Sequence, residues 1–175
     1  MENPRTVSFY NLDGKSYATS FQTQIDYEFI RRLDVRLAYR WYDVRTEYQS
    51  GIKQKPLISP HRAFTNLAYT TRNLWSFDYT IQWYDSKRLP STKSNPIEYQ
   101  LADYSTDFFL MNAQISKRWE DKFDIYIGLE NILDFRQDNP IIAANDPFNE
   151  FFDASLTWGP IFGRMIYGGI RLKIK

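Results

Sequence analysis

Apolar and polar residues alternate with a period of two along most of the chain. The clearest case is the segment 109–133, in which two alternating stretches flank a short polar turn at residues 119–122. Successive side chains of a β-strand point to opposite faces of the sheet, so this pattern predicts a hairpin with one apolar and one polar face. Each arm has about ten residues, which is enough for a tilted strand to cross a bilayer. Trp119 and Phe123 lie at the turn, where an interfacial aromatic belt would place them.

The same alternation predicts further strands on both sides of this hairpin, at residues 5–10, 16–30, 33–48, 62–69, 75–84 and 165–174. Short turns alternate with long connections, which are residues 49–60, 85–106 and 134–162. Outer-membrane barrels have short periplasmic turns and long extracellular loops. We therefore predict an all-β fold, an antiparallel transmembrane β-barrel segment of about eight strands with both termini on the periplasmic side. No segment keeps a 3.6-residue period, so no long helix is expected.

Composition narrows the classes of protein further. The formal net charge is +1, which gives no argument for a nucleic-acid partner. The chain has no cysteine, which excludes disulfides and thiolate chemistry. Mean hydropathy is −0.54 and no run approaches the ~18 apolar residues of a transmembrane helix. A transmembrane strand stays compatible with these values, because every second residue faces a polar interior.

The long predicted strand 16–30 has no upstream partner of matching length. The segment 5–10 is less than half as long, and unpaired backbone groups are costly in lipid. We therefore expect part of the sheet to lie outside these residues. The N-terminus also lacks a basic region followed by an apolar one, so we expect either a mature chain or a part of a longer protein.

Residues 128–135, at the end of the hairpin, and several segments after them resemble the C-terminal strands of TonB-dependent outer-membrane receptors. Residues 128–135 (GLENILDF) are similar to that family's G-x-E-N-L-F-N strand end. Similarity to the Bacteroidetes branch of this family extends over residues 138–142, 145–148, 151–155 and 158–164. It is weaker at residues 61–62, 82–84 and 87–90. The resemblance covers most of the chain from about residue 60 onward. One departure is the end at Ile174 and Lys175, where the family usually has an aromatic residue.

This resemblance implies a 22-stranded barrel with an N-terminal plug, driven by the TonB complex across the periplasm. Residues 1–175 would be a C-terminal part of the barrel, at most its last third, with the plug domain absent. The implied location is the outer membrane of a Gram-negative bacterium, and the implied function is active nutrient uptake without catalysis or cofactor. The implied partners are outer-membrane lipid, the plug and the TonB complex. The resemblance leaves open whether a surface lipoprotein is a further partner.

The long connection 134–162 holds the candidate ligand-binding residues. These are Asp146, Phe148, Phe151, Phe152 and Trp158, whose rings and carboxylate could contact a sugar or an aromatic ligand. The alternative is that the aromatic rings pack the loop onto itself and that the polar groups are solvated. No D-x-D-x-D-G spacing is present, so a calcium site is not indicated.

Charged residues on the predicted polar face have two interpretations. Arg36, Arg40, Arg118 and Arg171 share that face with several carboxylates. They could line a substrate path, or they could form cross-strand ion pairs that hold the barrel wall. The single histidine, His61, has no nucleophile motif beside it, so no catalytic site is predicted.

Two other protein classes fit parts of the pattern. The first is a complete eight-stranded outer-membrane barrel with a structural, adhesive or membrane-enzyme role, which would require residues 5–10 to pair along residues 163–174. The second is a soluble ligand-binding β-barrel. The outward apolar rows at residues 75–83 and 123–129 argue against a soluble barrel.

Overall fold

The computed structural model describes residues 11, 13–48, 51–120 and 122–172, and these form one antiparallel sheet. Its strands are β1 (Ser16–Ile30), β2 (Leu33–Tyr48), β3 (Gly51–Gln54), β4 (His61–Thr70), β5 (Trp75–Tyr84), β6 (Phe108–Trp119), β7 (Phe123–Glu130) and β8 (Met165–Leu172). The spatial order is β1-β2-β4-β5-β6-β7-β8, and β3 pairs with β2 alone. A short 3₁₀ helix, η1 (Ile97–Tyr99), lies between β5 and β6. No helix within the described residues is long and apolar enough to cross a membrane.

The predicted all-β architecture is confirmed, with one difference in a loop. Residues 51–54 were predicted as part of a polar connection, but they form β3. This strand pairs antiparallel with the end of β2, from Arg45↔Gln54 to Tyr48↔Gly51. Four residues are too few to show a period of two, which is why the pattern did not indicate this strand. The predicted strand at residues 5–10 lies outside the described residues.

Strand register sorts the side chains into two faces across the whole sheet. One cross-strand row joins Ile25, Leu37, Thr65, Ile81 and Met111, and we call its side of the sheet the apolar face. The neighbouring row joins Asp26, Arg36, Asn66, Thr80 and Asn112, and we call its side the polar face. Directly opposite residues of antiparallel strands lie on the same face, so the alternation of each strand adds up to one continuous surface.

The apolar face is exposed, and the buried residues lie elsewhere. Ile25 is 60% exposed, Ile127 is 57% and Ile170 is 66%. The buried apolar side chains among the described residues are Leu89, Phe108, Ile142 and Leu156, of which only Phe108 belongs to a strand. An exposed apolar surface of this extent indicates contact with another apolar phase or partner.

The two ends of the sheet differ in their connections. At one end, which we call the turn end, short turns join β1 to β2, β4 to β5 and β6 to β7. Arg32, Leu74 and Glu120 adopt positive φ angles of 74°, 59° and 48° in these turns. At the other end, which we call the loop end, the connections are long. At the turn between β6 and β7, Trp119 and Phe123 are opposite one another, with ring centroids 5.2 Å apart.

The sheet is open in the part of the chain that the structure describes. β1 pairs only with β2 and β8 pairs only with β7, so both outer edges lack a partner strand there. A long unpaired edge is prone to pairing with another strand. The described residues thus form a wall of strands rather than a closed barrel.

Candidate functional site

Three connections pack together at the loop end, and we call this unit the loop cap. It consists of residues 55–60, 85–107 and 131–164. The backbone N–H of Leu57 donates to the carbonyl of Arg88 at 2.8 Å, which ties the first connection to the second. The rings of Tyr99 and Phe151 stack with centroids 5.4 Å apart, which ties the second to the third. The loop cap therefore positions side chains from all three connections over one end of the sheet.

Asn131 holds the start of the longest connection. It is buried and follows β7 with φ of 50°. Its amide nitrogen donates to the carbonyl oxygens of Phe135 at 2.8 Å and Phe162 at 3.3 Å, while its Oδ1 accepts the N–H of Phe135 at 3.1 Å. Its own backbone N–H donates to Oδ1 of Asn112 in β6 at 3.0 Å. Asn131 thus joins both ends of the loop to the sheet.

Gln137 orders the middle of the same loop. Its Oε1 accepts the backbone N–H groups of Trp158 at 2.7 Å and Gly159 at 3.0 Å, and its Nε2 donates to the carbonyl of Leu156 at 3.3 Å. Gln137 is buried, so these bonds are formed away from solvent. A buried amide that satisfies several backbone groups at once fixes the loop in one conformation.

An aromatic stack joins the polar face to the loop cap. Tyr84 and Phe108 are opposite one another on β5 and β6, with nearly parallel rings and centroids 4.9 Å apart. Phe135 continues the stack on Phe108 at 4.8 Å, and Trp158 is tilted against both Phe108 and Phe135. Because Phe108 lies on the polar face, the loop folds over that face of the sheet.

Cationic groups line the open side of this stack. The guanidinium of Arg62 lies 4.1 Å from the ring centroid of Tyr84. Lys87 Nζ lies 5.5 Å from the ring of Phe108 and 5.9 Å from that of Tyr84, and it donates a hydrogen bond to the carbonyl of Trp158. Burial and, secondarily, the neighbouring charge of Arg62 lower the pKa of Lys87. The positive charges of Arg62 and Lys87 therefore lie close together and make this region electropositive.

The predicted cross-strand ion pairs form at two of the arginines. Arg36 Nε lies 2.5 Å from Asp26 Oδ1, and Arg171 Nη1 lies 3.5 Å from Asp124 Oδ2. Arg40 differs from both. Within the described residues it has no carboxylate partner, and its Nε is buried without a hydrogen-bond acceptor.

Two cavities open on the polar face, and their charges differ. The one at the turn end, about 170 Å³, is lined by Arg118 and by the paired Arg171 and Asp124. The one at the loop end, about 180 Å³, is lined by Arg40, Arg62 and Tyr84 and has no carboxylate in its wall. Of these two cavities, the second lies toward the loop end, where Tyr84 of its wall neighbours Lys87 of the loop cap.

The structure separates the predicted ligand-binding residues into two places. Ile142 and Asp153 form a β-bridge that closes a loop tip at residues 143–152. This tip carries four of the five predicted residues, which are Asp146, Phe148, Phe151 and Phe152. Phe148 is 99% exposed, whereas Phe151 stacks on Tyr99. Trp158 lies apart from them in the aromatic stack.

Asp146 and His61 have identifiable structural contacts. Asp146 Oδ1 accepts the backbone N–H of Phe148 at 3.3 Å and so shapes the loop tip. His61 Nδ1 lies 2.6 Å from the hydroxyl of Tyr39 on the apolar face. No group of three or more His, Cys, Asp or Glu side chains that could hold a metal ion occurs in the described ranges.

Sequence reasoning did not single out Arg62, Tyr84 or Lys87. Their proximity depends on the register between β2, β4 and β5 and on the path of a long loop, neither of which is a local property of the sequence. Arg40 was recognised as a residue of the polar face, but its lack of an ion-pair partner could not be inferred.

Comparison with known proteins identifies the fold. No family model matches the chain, and no curated protein matches its sequence. The structure is similar to the crystal structure of the ferric-catecholate import receptor Fiu from E. coli K12 in its closed form, with a TM-score of 0.64. The two sequences are 11% identical, and the match covers 90% of this chain and 21% of that chain. Fiu is a TonB-dependent receptor, so this all-β sheet has the fold of a segment of such a receptor's barrel wall.

Acidification is expected to loosen the end of the longest loop through Asp134. The backbone N–H of Arg164 donates to Asp134 Oδ1 at 2.7 Å, and Arg136 adds a bond at 3.1 Å. These two donors lower the pKa of Asp134 from its ordinary value of 3.8. Because the folded-state pKa is the lower one, the stabilisation is fully present above pH 3.8 and is lost as the pH falls through the folded-state value.

Hydrogen–deuterium exchange of residues 160–165, corrected for intrinsic rates, measures this effect between pH 6 and pH 2. Asp134→Asn is expected to remove the pH dependence, whereas Asp138→Asn, at an exposed carboxyl in the same loop, should leave it intact. Equal pH dependence in all three proteins would contradict the assignment to Asp134.

Proposed function

We propose that the chain is part of the barrel wall of an outer-membrane active-transport receptor that works with the TonB complex of a Gram-negative bacterium. The observation that carries this proposal is the exposed apolar face, which runs across the seven strands of the order β1-β2-β4-β5-β6-β7-β8. Outer-membrane barrels present such a face to lipid. The difference between short turns and long loops at the two ends, and the fold shared with Fiu, support the same function.

The polar face would then line the interior of a larger barrel of 22 strands. The open edges at β1 and β8 are compatible with continuation into further strands. In this proposal residues 1–175 are a C-terminal part of a Bacteroidetes-type receptor. The plug domain would sit against the polar face, and the plug would contact the TonB complex. A surface lipoprotein is a further proposed partner at the loop end.

The loop cap would capture ligand at the cell surface. Asp146, Phe148, Phe151 and Phe152 share one tip, and the full exposure of Phe148 gives that tip an apolar contact residue. Trp158 would contribute by holding the loop against Phe108 and Phe135. The mechanism requires no catalytic step by this chain, only binding at the cap and passage along the polar face.

Cysteine labelling tests the proposed location and orientation. Residues 1–175 contain no cysteine, so a thiol introduced among them reports one position once any cysteine elsewhere in the full-length protein is replaced by serine. In the full-length protein, Phe148→Cys is expected to react with a membrane-impermeant maleimide in intact cells. Asn73→Cys, in the turn between β4 and β5, is expected to react only after the outer membrane is permeabilised. Equal labelling of both thiols in intact cells would contradict the proposal.

Transport itself is tested by solute depletion from the medium. Cells with and without the full-length protein are compared by mass spectrometry of the medium, each with and without a protonophore. The proposal expects at least one solute whose uptake needs both the protein and the proton gradient. A protein that is correctly placed but removes no solute under either condition would favour a structural or adhesive role.

A further inference from the structure

One row of the polar face carries two positive charges directly opposite each other. The register pairs Gln22 with Arg40, Arg40 with Arg62, and Arg62 with Tyr84. Like charges at directly opposite positions of a sheet repel. The adjacent row toward the turn end, which contains Gln24 and Gln82, adds no negative charge.

Neither arginine is compensated by a carboxylate. Among the described residues, the nearby Arg36 pairs with Asp26, but Arg40 and Arg62 have no ion pair. The Nε of Arg40 is also buried without an acceptor from the protein. A buried donor that no protein group satisfies is an exception in folded proteins and calls for a partner.

The surrounding residues hold these cations in place instead of neutralising them. Arg62 lies on the ring of Tyr84, whose other neighbour is Phe108 in the aromatic stack. Arg40 lies 5.3 Å from the ring of Tyr42. Lys87 brings a third positive charge from the loop cap and is fixed by its bond to the carbonyl of Trp158. Aromatic faces orient guanidinium groups without removing their charge.

We propose that Arg40, Arg62 and Lys87 form a binding site for the oxyanion group of a transported solute, such as a phosphate, sulfate or carboxylate. The inference rests on the proposed function, since it requires the polar face to line the transport path. The cavity of about 180 Å³ beside Arg40 and Arg62 accommodates a small anionic group. Tyr84 of its wall also neighbours Lys87 of the loop cap, at 5.9 Å from the ring centroid to Nζ.

The chemistry favours an oxyanion over other ligands. Guanidinium groups donate in a planar fork that matches carboxylate, sulfate and phosphate oxygens, and an ammonium group adds a point charge. An oxyanion between Arg40 and Arg62 would pair with both guanidinium groups and relieve the repulsion within the row. A neutral sugar would do neither.

Phosphate binding to the full-length protein tests this site. The dissociation constant of inorganic phosphate is measured by calorimetry in detergent, at a constant ionic strength of about 0.15 M. Arg40→Gln and Arg62→Gln are each expected to weaken binding by roughly tenfold or more, since each removes a charge-assisted hydrogen bond. Arg62→Lys keeps the charge but loses the fork, so it should weaken binding less than Arg62→Gln does.

Arg36→Gln is the matched control. It removes one positive charge from the same strand and face, roughly 13 Å along β2 from Arg40, which exceeds the Debye length of about 8 Å. The dissociation constant of phosphate for Arg36→Gln is expected to stay within about twofold of the wild-type value. A loss equal to that of Arg40→Gln would assign the binding to the general field of the wall and overturn the inference.

The remaining outcomes separate this inference from the proposed function. Each variant is also combined with Phe148→Cys and checked for surface labelling, which reports outer-membrane assembly. If the wild-type protein is labelled correctly at the surface but binds no phosphate, the oxyanion site alone is overturned. That result is expected if a carboxylate from another segment of the protein pairs with Arg40 and Arg62. A protein absent from the outer membrane overturns the proposed function as well.

Discussion

Ile25→Arg is expected to lower the free energy of unfolding by about 2–4 kcal/mol in a lipid environment, because arginine on the lipid-facing side of a barrel near the bilayer midplane costs that much. Ile25 belongs to the apolar face and lies in a central row with Leu37, Thr65, Ile81 and Met111. Its side chain is exposed, so the substitution removes little protein packing. The expected loss therefore reports contact with hydrocarbon.

The measurement is denaturant unfolding of the full-length protein in lipid bilayers, followed by tryptophan fluorescence. Gln24→Arg is the matched control, since it introduces the same charge one residue away on the polar face, beside Asp26. This control is expected to change stability by no more than about 0.5 kcal/mol. Equal losses from the two substitutions would contradict a lipid-facing role for the apolar face.

Asn131→Ala is expected to destabilise the 131–164 connection by about 2–4 kcal/mol, because it removes three side-chain hydrogen bonds and leaves partly buried backbone groups of the loop without partners. Asn131 is 6% exposed, so solvent cannot readily replace these bonds. The loop should then release Phe135 and Trp158 from the aromatic stack that holds Arg62. Loss of protection is expected throughout the loop.

Hydrogen exchange of the loop amides and limited proteolysis in intact cells measure this release. Asn139→Ala is the control, because Asn139 also has a positive φ, 46° against 50° for Asn131, but is exposed. The difference between the two variants isolates the hydrogen-bond network from the backbone strain that alanine adds at either site. Similar protection in both variants would mean that the network does not hold the loop.

The strands and their two faces could be predicted from the sequence, because a period of two is a local property of a β-strand. Ile25 and Asp26 are assigned to opposite faces by their neighbours alone, and the same holds for Ile127 and Gly128. The lengths of the connections likewise distinguish the turn end from the loop end. The register that places Arg36 opposite Asp26 includes a one-residue shift between Glu28 and Ile30, and this shift brings the apolar rows of β1 and β2 onto the same face.

The cationic site and the arrangement of the loop cap could be decided only by the tertiary structure. Arg40 lies opposite Arg62 because of the register between β2 and β4, and a connection that includes β3 leaves that register undetermined from the sequence. Trp158 and Phe148 come from one loop, yet one is packed in the aromatic stack and the other is exposed. Alternation within a strand requires only the residues beside it, whereas register across long loops and packing between loops depend on contacts that are distant in sequence.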